Sequence, residues 1–160
     1  METVSSSPTT ASALCRLADG PDELEAHFAV RRRVFVLDQT LFAVTDKDEL
    51  DWTDGTRHVV GLADSVVAGA VRLYPVDGDG LWKGDRLAVL PEARVRRLGA
   101  LLVRFAVATA GELGGHTMDA QIQVPNVRFF EHLGWHTDGP PAPYHGVMHR
   151  PMAIPLVPAP

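Results

Sequence analysis

A short basic turn followed by an apolar run is the part of this sequence best suited to binding chemistry. Residues 87 to 90 read Leu-Ala-Val-Leu, residues 94 to 97 read Arg-Val-Arg-Arg, and Gly99 begins an apolar run that extends to residue 113. This pattern predicts a buried strand, a turn and a helix in succession. Because a helix N-terminus carries free backbone N–H groups and a partial positive charge, the turn is a favourable site for a phosphate or pyrophosphate group.

A second amphipathic segment follows further along the chain. Residues 124 to 135 read Val-Pro-Asn-Val-Arg-Phe-Phe-Glu-His-Leu-Gly-Trp, which predicts a short helix that ends at Gly134. Asn126 is the only asparagine in the chain, and its position suits a helix cap.

Two pairs of histidines have the spacing of metal ligands on a helix: His132 with His136, and His145 with His149. Glycine interrupts each pair, so helical geometry is not available to align the rings. The sequence therefore predicts ordinary hydrogen-bonded histidines and no metal site.

Length and composition limit the classes of protein that the chain can be. Its 160 residues are 46% hydrophobic, enough for one domain, and the formal net charge of -5 gives no bulk electrostatic support for nucleic-acid binding. Cys15 is the only cysteine, which excludes an intrachain disulfide and a thiolate zinc site. With no long apolar run and no secretory signal, we expect a soluble cytoplasmic protein that binds neither membrane nor nucleic acid.

The chemistry-bearing segments lie within an alternation of predicted strands and helices. Residues 1 to 12 are predicted to be disordered, residues 13 to 156 to form a single domain, and residues 157 to 160 to form a proline-rich tail. Strands are predicted at 14–18, 57–63, 66–75, 81–90, 117–123, 135–137 and 147–156, and helices at 21–37, 94–113 and 125–133. The order β-α-β-β-β-α-β-α-β-β indicates a mixed α/β layer fold.

Four stretches, in their order along the chain, resemble the GNAT family of N-acetyltransferases. They are residues 33 to 39 with the acidic residues 46 to 51, residues 82 to 89, residues 94 to 102, and residues 126 to 135 followed by 146 to 152. The likeness covers residues 14 to 156 and is greatest to ElaA-like members, including those described as nitrogen-starvation N-acetyltransferases. It implies the GNAT α/β fold, with a mixed central sheet of about six to seven strands flanked by about three to four helices.

The resemblance also implies an enzyme that moves an acetyl group from acetyl-CoA to a small amine by direct attack on the thioester. It places the pantetheine arm beside Leu87, Ala88 and Val89. It places the pyrophosphate on Arg94, Arg96, Arg97, Leu98, Gly99 and Ala100, and the thioester near Asn126, Phe129 and Phe130. It does not identify the acceptor, and it leaves a homodimer open.

The chain departs from the family pattern at two positions. Arg97 stands where the phosphate loop usually has its first glycine, and Phe130 stands where many members have a tyrosine thought to protonate the leaving thiolate. A thiol has a pKa of about 8.5, and general acid help is worth about 10²- to 10⁴-fold in rate. We therefore expect a slower enzyme or a substitute acid, with His132, His145 and His149 as candidates.

Asp85 is the first candidate for the general base of acetyl transfer. Strict alternation along its strand would place Lys83, Asp85, Leu87 and Val89 on one face. The structural alternative is an ion pair between Asp85 and Arg72 or Arg86.

The acidic residues 46 to 51 have two interpretations: a mouth that favours a cationic amine, or a solvated loop. Residues 31 to 33 are three consecutive arginines on the first predicted helix. We expect them to be exposed, although one of them could face the acidic residues.

Two other functions remain alternatives to acetyl transfer. An acyl-homoserine-lactone-type synthase would share the fold and the early Arg, Val-Phe pattern with its carboxylate-rich loop, but the 94–99 turn and the Leu-Gly-Trp of residues 133 to 135 favour the acetyltransferase. A degenerate domain that binds acyl-CoA without catalysis is the other alternative, and Arg97 and Phe130 motivate it.

Overall fold

The computed structural model of the chain describes residues 12 to 158. Most of the N-terminal segment predicted to be disordered, and residues 159 and 160 of the predicted tail, lie outside the described residues. The strands are β1 (Ala13–Leu17), β2 (Arg57–Ala63), β3 (Val66–Pro75), β4 (Leu81–Val89), β5 (Thr117–Gln123), β6 (His136–Thr137), β7 (Ala142–Tyr144) and β8 (Val147–Pro155). The α-helices are α1 (Gly20–Arg31), α2 (Leu98–Glu112) and α3 (Val127–His132).

All of these strands belong to one mixed sheet, as predicted, with the order β1-β2-β3-β4-β5-β8-β6 and with β7 paired to β8. Neighbouring strands are antiparallel except β4 and β5, which are parallel. The sheet has eight strands rather than six or seven because of β7. This short strand forms a hairpin with β8 through His145 and Gly146, both at positive φ. Its three exposed residues include Pro143 and lack alternation, so the sequence pattern does not reveal it.

Helices α1 and α2 lie on opposite faces of the sheet. Beneath α2 a large apolar core includes Leu98 and Leu102, while a smaller cluster beneath α1 includes Val30 and Ala70. Gly69 allows α2 to lie close to the sheet, because a Cβ at this position would be 2.7 Å from Cδ1 of Leu102.

The helices follow their predicted positions, with three local differences, one of which is a 3₁₀ turn at Val124–Asn126 that delays the start of α3 to Val127. α1 starts with Pro21 and acidic residues in its first turn, which favours a helix N-terminus. After Arg31 the backbone continues as a wider π-helical turn over Arg32–Asp38. The α-helical part of α2 begins at Leu98 rather than residue 94, because Pro91–Arg96 forms a 3₁₀ turn. Within residues 12 to 158, no helix is long and apolar enough to cross a membrane.

A bulge in β4 separates residues that strict alternation would place together. Asp85 pairs with Arg72 and Ala88 pairs with Ala70, so β4 has one extra residue in this interval, and Arg86 has a φ of 54°. Asp85 consequently faces Arg72 beneath α1. Leu87 and Val89 pack on the core beneath α2. The expectation that Lys83, Asp85, Leu87 and Val89 share one face is therefore wrong, because an extra residue in a strand reverses the alternation beyond it.

Candidate functional site

The sheet opens between its two parallel strands. β4 and β5 are paired only where Leu81, Trp82 and Lys83 meet Thr117, Met118 and Asp119. Beyond this point β4 has no strand partner on that side within the described chain, so its backbone polar groups are available to a ligand. A cavity of about 290 Å³, called here the cleft, lies at this opening.

The cleft has two chemically different walls. The polar wall consists of Tyr74, Lys83, Asp85, Asp119, Gln123, Tyr144 and His149. Most of its members are opposed across neighbouring strands: Tyr74 pairs with Lys83, Lys83 with Asp119, and Gln123 with His149. The apolar wall consists of Leu87, Val103, Ala106, Met118, Phe130 and Trp135, all of which belong to the core beneath α2 or pack against it. A polar reactant and an apolar reactant could therefore meet where the strands separate.

Asp85 lines the cleft, but it is held in an ion pair. Arg72 donates from Nε to Oδ1 of Asp85 at 2.8 Å and from Nη2 to Oδ2 at 2.6 Å. Arg86 is further away, with Nη1 3.8 Å from Oδ2. Burial by itself lowers the pKa of Arg72, but the hydrogen bonds from Arg72 to Asp85 and Asp48 outweigh it and raise the pKa well above its usual range. The structure thus shows the ion pair that was the alternative to a catalytic Asp85.

Three of the acidic residues between 46 and 51, namely Asp46, Asp48 and Asp51, are tied to buried arginines. Arg31, expected to be exposed, is fully buried, and it donates to Asp46 at 2.6 Å and to Asp51 at 2.7 Å. Arg32 and Arg33 are exposed, as expected. The side chain of Arg86 contacts Asp46 and Asp48. Asp46 and Asp51 are buried, so neither a solvated loop nor an open anionic mouth describes them.

His149 lies in the cleft with one ring nitrogen held by the backbone. It is buried, and its Nδ1 lies 2.7 Å from the carbonyl oxygen of Val147. A carbonyl only accepts, so Nδ1 carries a proton, and Nε2 is the ring nitrogen left to exchange a proton with a ligand. Nε2 has no hydrogen-bond partner among residues 12 to 158, and the side chain lines the cleft beside the ring of Tyr144, 5.1 Å away between centroids.

The other two candidate histidines are placed differently. His132 is exposed at the end of α3 and does not line the cleft. His145 is exposed in the β7–β8 turn, where its ring packs against Phe42 and Tyr144 at 4.4 Å. Of the three, the structure brings only His149 into the cleft.

Asp119, Tyr74 and Tyr144 are cleft residues that sequence reasoning missed. Burial raises the pKa of the Asp119 carboxyl, with Lys83 opposing and Asp138 adding to the effect. Burial raises the pKa of Tyr74 to about 12, so its hydroxyl stays protonated. Asp119 could have been found, since the alternation Thr-Met-Asp-Ala-Gln-Ile-Gln of β5 predicts one polar face. Tyr144 had no such signal because β7 was not predicted.

The turn before α2, which the resemblance predicts to bind phosphate, ends in a left-handed residue. Arg97 occupies the left-handed region, with φ 57° and ψ 23°. Glycine adopts this conformation without strain, which explains why the family usually has glycine at this position. Its side chain and that of Arg94 are exposed, whereas Leu98 is fully buried and offers only its backbone N–H. Gly99 and Ala100 follow in the first turn of the helix. The side chain of Arg96 lies outside the described part of the structure.

Helix α3 lies against the start of α2. A Cβ on Gly99 would lie 3.7 Å from Cζ of Phe129, so the ring covers the helix start. Phe130 is buried and packs edge-on against Trp135, with ring centroids 5.3 Å apart. Asn126 lines the cleft and makes no side-chain cap bond, which leaves its amide available to a ligand.

These residues fit the coenzyme A that the resemblance implies. The unpaired edge of β4 provides an independent observation: beyond Lys83 its backbone groups have no strand partner on the β5 side among the described residues, and the amides of a bound ligand would satisfy them. An elongated ligand with amides and a terminal pyrophosphate could therefore extend from the cleft to the start of α2.

Comparison with known proteins agrees with this geometry. The model of the acetyltransferase (GNAT) family matches residues 24–135. An uncharacterized N-acetyltransferase of Bacillus subtilis, YjcF, is 30% identical over 121 residues, which are 74% of this chain and 82% of that protein.

Solved structures share the fold over nearly the whole chain. A putative N-acetyltransferase from Lactobacillus plantarum matches with a TM-score of 0.80 and 22% identity over 91% of this chain and 99% of its own. ElaA from Escherichia coli matches with a TM-score of 0.78 and 20% identity over 90% of this chain and 99% of its own.

Proposed function

We propose, from the premise that this chain belongs to the acetyltransferase (GNAT) family, that it transfers an acetyl group from acetyl-CoA to a small amine held against the polar wall of the cleft. Family membership makes the chain an acyltransferase that uses a coenzyme A thioester. The observation that carries the proposal is the opening between β4 and β5, which separates a polar wall from an apolar wall.

We assign the coenzyme A site to the residues that the sequence predicted. The backbone N–H groups of Leu98, Gly99 and Ala100, with the guanidinium groups of Arg94 and Arg97, would hold the pyrophosphate. The free edge of β4 at Leu87, Ala88 and Val89 would bond the pantetheine amides, with Asn126, Phe129 and Phe130 on the other side. Bound there, acetyl-CoA supplies an activated acetyl thioester.

The polar wall would bind and deprotonate the amine. Asp119 lies opposite Lys83 on the paired strand, and its carboxylate, where ionised, would attract an ammonium group of the substrate. Nε2 of His149 would accept the proton, because its tautomer is fixed by the Val147 carbonyl. We assign Asp85 to positioning, since Arg72 holds both of its carboxylate oxygens.

The proton balance of the reaction does not require an acid at Phe130. The bound ammonium loses two protons: the first passes to solvent to give the neutral amine, and the second passes to His149 as the amine nitrogen bonds to the acyl carbon and the carbon–sulfur bond breaks. A thiol of pKa about 8.5 leaves readily as a thiolate near neutral pH. His149, once protonated, could return that proton to the sulfur, so one side chain would serve both proton transfers.

Calorimetric titration of the purified chain with acetyl-CoA, coenzyme A and ATP tests the proposal. We expect micromolar binding of both coenzyme A compounds and much weaker binding of ATP. A panel of small amines, followed by thiol release from acetyl-CoA, would then identify the acceptor class. Absence of binding by acetyl-CoA would overturn the proposal.

A further inference from the structure

Three polar side chains form one row across the sheet at the point where it opens. Tyr74 on β3 pairs with Lys83 on β4, and Lys83 pairs with Asp119 on β5, which is the last pair between β4 and β5. Side chains paired across neighbouring strands project from the same face of a sheet. All three are partly exposed and line the cleft, so this row, called here the charged row, lies on a surface that an acceptor can reach.

The charged row offers two hydrogen-bond donors followed by one carboxylate. Burial raises the pKa of Tyr74 to about 12, so its hydroxyl keeps its proton and can donate. The ammonium group of Lys83 has three donors and a positive charge. Lys83 lies close enough to Asp119 to oppose the rise in pKa that burial causes in that carboxyl. The side-chain charge therefore changes sign across one strand spacing, about 5 Å.

The two charges of the row favour a ligand that carries both signs. Two residues along the same strands, Arg72 holds both carboxylate oxygens of Asp85, so the charges at that position already compensate each other. A ligand with a positive charge alone would be attracted by Asp119 but repelled by Lys83 at a similar distance, which leaves little net gain. A ligand with adjacent positive and negative groups would gain from both residues.

We infer that the acceptor is an α-amino acid, whose ammonium group lies against Asp119 while its carboxylate is held by Lys83 and the hydroxyl of Tyr74. An α-amino acid carries both charges on one carbon, so they match side chains on neighbouring strands. The inference rests on the proposed function and specifies the substrate class of the same site. The acetyl group passes from sulfur to the amino nitrogen, which loses two protons, and the products are an N-acetyl amino acid and coenzyme A. The neutral amide of that product no longer attracts Asp119, which favours its release.

Matched acceptors that differ only in the carboxylate test this inference. Thiol release from acetyl-CoA would be measured with the common α-amino acids and with their α-carboxamides, which keep the amine and side chain but lack the negative charge. We expect kcat/KM for the best amino acid to exceed that for its carboxamide at least about tenfold. Carboxamides that react as well as the amino acids would overturn this inference alone.

The remaining outcomes separate this inference from the proposed function. If acetyl-CoA binds but neither set of acceptors reacts, the α-amino acid assignment is wrong, whereas the coenzyme A site stands. Failure of acetyl-CoA to bind would overturn the proposed function and with it this inference.

Substitutions in the charged row should remove the preference for a carboxylate. Lys83→Gln is expected to lower kcat/KM for the amino acid at least about tenfold without lowering that for the carboxamide. Tyr74→Phe should cause a smaller loss, about threefold to tenfold, again for the amino acid only. Lys47→Gln, at an exposed lysine that does not line the cleft, is the matched control and should keep the preference. Thermal unfolding and acetyl-CoA titration would establish that each variant is folded and binds the donor. An unchanged preference in folded Lys83→Gln would contradict the assignment.

Discussion

Arg72 on β3 holds both carboxylate oxygens of Asp85 on β4, at 2.8 and 2.6 Å, one residue before the bulge at Arg86. The ion pair fastens β4 to β3 where β4 separates from β5. Arg72 also forms ion pairs with Asp48 and Asp51, which belong to the acidic residues 46 to 51. Arg72 therefore connects the point where β4 leaves β5 to the acidic residues 46 to 51.

Replacement of Asp85 should affect stability rather than proton transfer. Asp85→Asn leaves the buried guanidinium of Arg72 with fewer anionic partners, and we expect a loss of about 1–2 kcal/mol in unfolding free energy, since Asp85 is partly exposed and Asp48 and Asp51 remain. Denaturant unfolding measures this loss, and Asp138→Asn, at an exposed carboxylate, is the control. A missing limb in the pH–rate profile with unchanged stability would instead identify Asp85 as the base.

Replacement of His149 should slow the reaction without weakening the binding of the donor. His149→Gln retains a donor for the Val147 carbonyl but has no basic nitrogen, and we expect turnover to fall at least about 100-fold at neutral pH. Steady-state rates across pH should partly recover at high pH, where more of the amine is already neutral. His132→Gln should behave as the native chain. Native turnover in His149→Gln would exclude His149 as the proton acceptor.

Substitutions at Arg97 should separate the effect of its backbone conformation on stability from the effect of its charge on acetyl-CoA binding. A non-glycine residue in the left-handed region is strained by about 1 kcal/mol, so Arg97→Gly should raise the unfolding free energy by about 0.5–1 kcal/mol. Arg97→Glu places a negative charge beside the pyrophosphate, and we expect acetyl-CoA affinity to fall at least about tenfold.

The control for Arg97→Glu is Arg104→Glu, an exposed position on α2 about 10 Å further along the helix. Its effect on acetyl-CoA affinity should be small because of distance and screening. Arg31→Glu is not a suitable control, since Arg31 is fully buried. Equal effects at positions 97 and 104, measured by calorimetry, would remove Arg97 from the pyrophosphate site.

The acid stability of the fold should depend on His27. Its Nε2 must accept from Arg31, because a guanidinium only donates, and its Nδ1 donates to the Val59 carbonyl. Burial lowers the pKa of His27 to about 3, while Val59 opposes and Arg31 adds to this effect. The unfolded chain takes up this proton first, so stability is full above the unfolded pKa of about 6.5 and falls by up to about 1.4 kcal/mol per pH unit below it.

His27→Gln should reduce that dependence, since glutamine can make both hydrogen bonds without titrating. Unfolding free energies measured between pH 4 and 6.5 are expected to vary less in this variant than in the native chain. His132→Gln, at an exposed site, should leave the slope unchanged. An unaltered slope in His27→Gln would show that other groups control the acid stability.

The sequence by itself determined most of the elements and the chemistry that the residues at their ends could perform. Apolar alternation located the strands that form the central sheet, and the basic turn before the Gly99 helix indicated a phosphate site. These features are local, because periodicity and helix-start signals depend on residues a few positions apart. The family resemblance then supplied the donor, which the family match supports.

Only the tertiary structure decided which side chains meet in the cleft. The bulge at Arg86 moved Leu87 and Val89 away from the face of Asp85, and Arg31, read as an exposed charge, proved to be buried against Asp46 and Asp51. Both outcomes depend on pairing between distant segments, and a one-residue register change reverses every side chain beyond it. Local sequence contains no signal for such pairing, so Asp119, Tyr144 and His149 came together only once the strands were paired.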